Sequence, residues 1–155
     1  MVWWAAFLVG LVGALRVMRE PMEPLTPVVV RDAARRWRDE GIVDYDLRYR
    51  MHGSEYRVAV RGGLVTELLV DGRAALTADP GAFSVEGLFH LLELELENLT
   101  DPRGPFSGGG HKILARVRFN HKLGYLERYL RTGGTVRGMV IELSAFHRVD
   151  GSVTG

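Results

Sequence analysis

Residues 43–51 read Val-Asp-Tyr-Asp-Leu-Arg-Tyr-Arg-Met, and their alternation gives the first indication of the fold class. Apolar or aromatic side chains alternate with charged ones along the whole run. Successive side chains of a β-strand point to opposite faces, so a period of two predicts a strand with one buried face and one solvent-facing face. The buried positions are Val43, Tyr45, Leu47, Tyr49 and Met51.

Two more strands follow this one after short turns. Residues 52–54 (His-Gly-Ser) and Gly62-Gly63 predict the turns, and the strands run through Tyr56 to Val60 and through Leu64 to Val70. Asp71-Gly72 is a strong signal for a further tight turn. Turns this short leave no room for a crossover, so the three strands form an antiparallel meander.

A helix precedes this meander and another follows it. Thr26-Pro27 supplies an N-cap and a proline at the first helical position, and Gly41 ends the helix. The second helix begins after Ser84, with Glu86 in its first turn. The first apolar stripe is Val30, Ala33, Ala34 and Trp37. The second is Val85, Leu88, Phe89, Leu92, Leu96 and Leu99, widened by Leu91 and Leu94.

A second set of three strands completes the folded part. Strands are predicted over residues 113–119, 125–131 and 136–146, with turns at 120–124 and 133–134. The fold class is therefore α+β, with two helices on a mostly antiparallel sheet in the order α-β-β-β-α-β-β-β. That order suggests a duplicated α-β-β-β unit. Residues 28–150 form a single domain, and residues 151–155 are a polar tail.

The N-terminal residues have a different character from the rest. Residues 2–15 contain no charge and no proline, and Arg16 and Arg19 follow them. We expect residues 1–19 to be an apolar membrane segment, either a signal anchor or a signal peptide, that contacts the membrane through residues 2–18. A buried helix of the domain is the competing interpretation. Residues 20–27 are expected to be a Pro-rich spacer.

Composition narrows the classes of partner. The chain has 155 residues, a formal net charge of +1 and no cysteine. Nucleic-acid binders usually carry a clear basic excess, so a nucleic-acid partner is not expected. The lack of cysteine excludes disulfides, thiol nucleophiles and cysteine-based zinc sites.

No residue pattern points to a particular reaction. The histidines at positions 52, 90, 111, 121 and 147 show no paired metal-ligand spacing, so we expect no metal and no cofactor. Asp44 and Asp46 are a carboxylate pair on one face of a strand, but Arg48 and Arg50 continue that face and neutralise it. The strand tyrosines either line a groove or form core, and core is favoured. No catalytic residue is assigned, and whether the protein is an enzyme stays open.

Three short segments resemble a known family. They are residues 36–58 with Arg36-Trp37, Asp44-Tyr45 and Tyr56-Arg57-Val58; residues 84–89; and residues 119–125. Together they are similar to the DUF6174-like family of uncharacterised bacterial exported and lipoprotein-type proteins. Leu126 and Asn120 stand where that family usually has Pro and Asp. The resemblance implies a location in the cell envelope and carries no catalytic residues.

These observations lead to one leading functional hypothesis and two alternatives. We expect a non-enzymatic, membrane-tethered or exported binding or accessory domain, with its side of the membrane left open. One alternative is a hydrolase-like enzyme that uses carboxylates or histidine on the exposed sheet face. The other is an inhibitor or protein-interaction module that binds a protein partner on that face.

Overall fold

The computed structural model describes residues 21–107, 112–134 and 136–150. Its two helices are α1 (Pro27–Glu40) and α2 (Val85–Thr100), and a short 3-10 helix (Pro80–Phe83) leads into α2. The strands are β1 (Glu23–Pro24), β2 (Tyr45–Met51), β3 (Ser54–Arg61), β4 (Leu64–Val70), β5 (Arg73–Ala74), β6 (Leu114–Phe119), β7 (Leu126–Thr132) and β8 (Met139–Arg148). The predicted α+β class and the predicted order of the main elements are confirmed.

The strands form one antiparallel sheet in the order β1-β6-β7-β8-β2-β3-β4-β5. The two meanders lie side by side and are joined where β8 pairs with β2. Because every neighbouring pair is antiparallel, β2 runs opposite to β6, its counterpart in the second half. The two halves therefore share an element order but not a strand direction.

Helix α1 follows the local rules that its sequence suggests. The Thr26 hydroxyl accepts a hydrogen bond from the Val29 amide at 3.3 Å, and Gly41 ends the helix in the left-handed conformation at φ 58°. The predicted stripe from Val30 to Trp37 is buried. Burial of this stripe against the sheet fixes which side of α1 faces solvent.

Gly124 lets the β6–β7 turn approach α1 closely. Its φ is +85°, and a Cβ at this position would lie 2.3 Å from the Ala33 carbonyl oxygen. Only glycine satisfies both the backbone conformation and the contact. The turn therefore packs directly on the backbone of α1.

Helix α2 begins as predicted, and its predicted stripe packs on the core, with Val85, Leu88, Phe89 and Leu92 buried and Leu96 and Leu99 partly buried, but the stripe differs from the prediction at Leu94 and Glu95. The Ser84 hydroxyl accepts a hydrogen bond from the Gly87 amide at 3.1 Å. Leu94, expected to widen the apolar stripe, is 46% exposed, whereas Glu95 is 6% exposed. The prediction for Leu94 was wrong because Glu95 is buried against charged and polar partners on the sheet.

The other differences lie at the ends of the strands. Within the expected spacer, β1 pairs with β6 and Leu25 is buried, so residues 23–27 belong to the domain. Val43 is exposed and precedes β2, and β8 begins at Met139 rather than at residue 136. The two-residue strands β1 and β5 were not predicted, because two residues carry no periodic signal.

The predicted membrane segment, residues 1–19, lies outside the described residues. Among the helices of residues 21–107, 112–134 and 136–150, none is both long enough and apolar enough to cross a membrane. The tail at residues 151–155 also lies outside the described part.

Candidate functional site

The sheet has one face covered by α1 and α2 and one face that no described element covers. We call the second one the open face. Strand alternation and cross-strand register assign its side chains. From the six longer strands they are Asp46, Arg48, Arg50, Glu55, Arg57, Ala59, Arg61, Leu64, Glu67, Leu69, Leu114, Arg116, Arg118, Arg128, Leu130, Thr132, Val140, Glu142, Ala145 and His147.

Charged residues on the open face form a row that crosses five strands. Arg118 lies opposite Arg128, Arg128 opposite Glu142, Glu142 opposite Arg50, and Arg50 opposite Glu55. Opposite charges directly across strands stabilise a sheet by a few tenths of a kcal/mol to about 1 kcal/mol, and like charges oppose it. The single like-charge step in this row is relieved, because Arg118 Nε lies 3.1 Å from Glu127 Oε2.

The neighbouring row contains a like-charge step with less compensation. Ala145 lies opposite Arg48, Arg48 opposite Arg57, and Arg57 opposite Leu69. Arg57 Nε lies 2.8 Å from Glu55 Oε1. Within the described residues, the Arg48 guanidinium has no carboxylate within 4.0 Å and no side-chain hydrogen bond. Arg48 thus stands between a like charge and an alanine.

Glu55 is surrounded by this positive charge. The hydrogen bond from Arg57 holds the pKa of the Glu55 carboxyl below its usual value, and the charges of Arg57, Arg48 and Arg50 act in the same direction. The Glu55 side chain is 27% exposed, and the direction of its pKa shift reflects the cationic side chains concentrated around it.

A shallow depression of about 350 Å³ lies in this part of the open face. Arg48 and Arg57 line it together with the small side chains of Ala59 and Ala145, which leave space above the sheet. Asp46, Arg61, Glu67 and His147 line the rest. Arg61 Nη2 lies 2.8 Å from Asp46 Oδ1, so this acid already has a cationic partner.

The open face also has an apolar part, over β6, β7 and β8. Leu114 is 46% exposed and Val140 is 43% exposed, and Leu130 lies directly opposite Val140. Arg116 lies opposite Leu130 on its other side. The face therefore combines arginine side chains with exposed aliphatic ones.

The residues considered for chemistry in the sequence do not converge. Asp44 Oδ1 accepts a hydrogen bond from the Gly62 amide at 2.7 Å, whereas Asp46 pairs with Arg61. His52 and His121 lie in different turns, His90 is exposed on α2, His147 lies on the open face, and His111 is outside the described residues. The part of the chain that the structure describes contains no cluster of three or more possible metal ligands.

The tyrosines belong to the covered face, as the favoured interpretation predicted. Tyr45, Tyr49 and Tyr129 are fully buried, and Tyr56 and Tyr125 are partly buried. Burial raises the pKa of the Tyr45 phenol, and the Glu86 charge raises it further. Glu86 Oε1 accepts a hydrogen bond from Trp37 Nε1 at 2.7 Å, and its Oε2 accepts one from the Tyr45 hydroxyl at 2.8 Å. Glu86 therefore ties the first turn of α2 to α1 and β2.

A buried charged cluster on the covered face was not predicted. Arg131 Nη1 lies 2.6 Å from both carboxylate oxygens of Glu95, and the Tyr129 hydroxyl donates to Glu95 Oε2 at 2.5 Å. Arg131 Nη2 also donates to the Arg137 carbonyl at 2.9 Å, and its guanidinium lies 4.6 Å from the centroid of the Phe106 ring. All these contacts are internal, so the cluster holds α2, β7 and the flanking loops together.

Comparison with protein-family models, curated proteins and solved structures gave no match to this chain. The resemblance to the DUF6174-like family therefore stays a prediction. Its motif positions have local structural roles here: Ser84 caps α2, and Asn120 Oδ1 accepts hydrogen bonds from the Lys122 and Leu123 amides in the β6–β7 turn.

Proposed function

We propose that this protein is a non-enzymatic binding or accessory domain, membrane-tethered or exported, that takes a protein partner on its open face. The observation that carries the proposal is the composition of that face. It presents a set of arginines, among which Arg48 has no acidic partner in the described residues, together with exposed aliphatic side chains, over a sheet whose other side is covered by the helices.

A protein partner suits the shape and chemistry of this surface. Arginine is enriched at protein interfaces, where its stem packs on apolar groups while its head pairs with acids. Leu130 lies directly opposite Val140 and diagonally from Leu114, so the three supply an apolar contact with Arg116 and Arg128 beside it. The depression at Arg48 is open and shallow, which fits a protruding side chain of a protein better than an enclosed small molecule.

The proposed location rests on the sequence. Residues 2–18 are apolar apart from Arg16, and the resemblance to exported bacterial proteins points in the same direction. Attachment to a membrane surface would restrict the domain to partners in the same compartment. The location and the partner are therefore tested together.

Site-specific photocrosslinking in cells of the source organism, with the full chain, tests the proposal. A photoreactive residue is placed at Glu67 or Val140 on the open face, and at Arg35 on α1 as the matched control. We expect one discrete protein adduct from both open-face positions and none from Arg35. Cell fractionation with protease accessibility is run in parallel and should place the chain in the membrane or exported fraction.

Several results would contradict the proposal, and the absence of any open-face adduct is one of them. Equal adducts from Arg35 and from the open-face positions would show that the crosslinks are non-specific. Discrete adducts from Arg35 alone would move the interface to the helical layer.

A further inference from the structure

We propose that the open face anchors its partner through a carboxylate side chain that binds between Arg48 and Arg57. This inference rests on the proposed function and names the chemistry that the partner must present. It identifies an acidic protein segment, rather than a nucleic acid or a lipid surface, as the ligand of the depression.

The first argument is the position of Arg48 in the sheet. Residues directly opposite on antiparallel strands have Cβ atoms about 4.5 to 5.5 Å apart, so the Arg48 and Arg57 side chains leave the sheet close together. On its other side Arg48 faces Ala145, which offers no charge. Every other arginine of the described open face is opposite an acid, paired with one, or bonded to a carbonyl, as Arg116 is to that of Met22.

The second argument is that Glu55, an acid on the same face, pairs with Arg57 but not with Arg48. Glu55 receives its hydrogen bond from Arg57, at 2.8 Å. Arg48 and Arg50 act on Glu55 through their charges, without a contact within 4.0 Å. A second carboxylate over Arg48 would remove the remaining like-charge repulsion, and binding of a partner would supply it.

The third argument concerns the class of anion. A guanidinium presents its donors as a planar fork that matches a carboxylate, and the space above Ala59 and Ala145 admits such a group. Glu67 lines the same depression and has no cation within 4.0 Å in the described residues. The charged lining is Arg48, Arg57 and Arg61 against Asp46 and Glu67, a net charge of +1, which a singly charged carboxylate neutralises and the larger negative charge of a phosphate exceeds. The depression therefore favours a carboxylate.

Fluorescence anisotropy with the full chain in zwitterionic nanodiscs tests this inference. The probe is a labelled peptide of alternating Leu and Glu, and the matched control peptide has Gln in place of Glu. We expect the Glu peptide to bind and the Gln peptide to bind at least tenfold more weakly. Arg48→Gln and Arg57→Gln should each weaken binding of the Glu peptide about tenfold or more, the loss expected for one charge-assisted hydrogen bond. Arg35→Gln should leave it unchanged.

A thermal melt separates a binding role of Arg48 from a structural one. Removing one member of a like-charge pair relieves repulsion, so Arg48→Gln should melt at the same temperature as the parent chain or higher. A lower melting temperature for Arg48→Gln would assign Arg48 to stability and overturn the inference.

The remaining outcomes distinguish the carboxylate anchor from the proposed function of the open face. Absence of peptide binding, equal binding by Arg48→Gln and the parent chain, or stronger competition by inorganic phosphate than by free glutamate would each overturn the carboxylate anchor. Photocrosslinks from the open face that persist undiminished in Arg48→Gln would overturn it as well, while leaving the proposed function standing. If the parent chain gave no open-face crosslinks, that result would instead contradict the proposed function itself.

Discussion

Replacing Glu95 by Ala should destabilise the domain by about 3 to 5 kcal/mol, because the change leaves a buried charge without a partner. Glu95 and Arg131 are each 6% exposed, and Arg131 holds both oxygens of the carboxylate at 2.6 Å. The Tyr129 hydroxyl would also lose its acceptor. A domain of this size is typically stable by only about 5 to 15 kcal/mol, so the loss would be a large share of the total.

The measurement is denaturant unfolding of the chain without residues 1–20, followed by far-ultraviolet circular dichroism. Glu93→Ala is the matched control, because Glu93 is an exposed acid on the same helix, 3.7 Å from exposed His90, and should change stability by less than about 0.5 kcal/mol. The double change Glu95→Leu with Arg131→Leu should recover part of the loss, because it removes both charges. A cost below about 1 kcal/mol for Glu95→Ala would refute the view that this cluster is buried and closed.

Three further predictions concern other parts of the fold. Trp37→Ala should lower the free energy of unfolding by about 3 to 5 kcal/mol in the same assay, because Trp37 is 4% exposed and packs edge-on against Tyr45 at a centroid distance of 5.3 Å. A change near zero would place α1 in another orientation. Burial raises the pKa values of the Tyr45, Tyr49 and Tyr129 phenols above their usual 10, so the folded form binds more protons than the unfolded form above pH 10. Stability should therefore fall as the pH rises beyond 10, and ultraviolet absorbance should show these phenols ionising only together with unfolding; early reversible ionisation of all tyrosines would contradict this. Deleting residues 1–20 should leave a folded domain, whereas deleting residues 1–25 should lower its melting temperature, since the longer deletion removes β1 and buried Leu25; equal melting temperatures would show that β1 adds nothing.

The main elements could be predicted because their signals are local. Alternation from Tyr45 to Met51, the Thr26 cap and the Gly41 stop each depend on neighbours a few residues away, and the structure keeps all of them. The strand β1 could not be found in this way. Its two residues gain order only from pairing with β6, which lies more than ninety residues further along the chain.

The two charged sites show why side-chain partners are harder to predict than elements. Glu95 and Arg131 are 36 residues apart in the sequence. Their hydropathy predicts that both are surface residues, but in the fold both are buried and the charge of each is compensated by the other. Alternation did place Arg48 on the polar side of β2. Its position opposite Arg57 depends on strand register, which a slip of one residue would change completely. For β2 and β3 the register is set by the two-residue turn His52-Gly53, which pairs Met51 with Ser54, whereas the turn predicted from the sequence covered residues 52–54.

The strand directions determine how the domain would be oriented if a tether held it at one of its ends. Glu23 pairs with Val117, so the chain before β1 extends toward the Phe119 end of β6. Strands β6 and β8 run the same way, because both are antiparallel to β7, and the last residues of β8 therefore reach that same end. A tether on either side of the described domain would hold it by one end. The ten residues of β8 span about 33 Å, so the turn at residues 52–53 would point away from the attachment at roughly that height. In such an arrangement the open face would be roughly perpendicular to the surface of attachment, and a partner could approach it from the side.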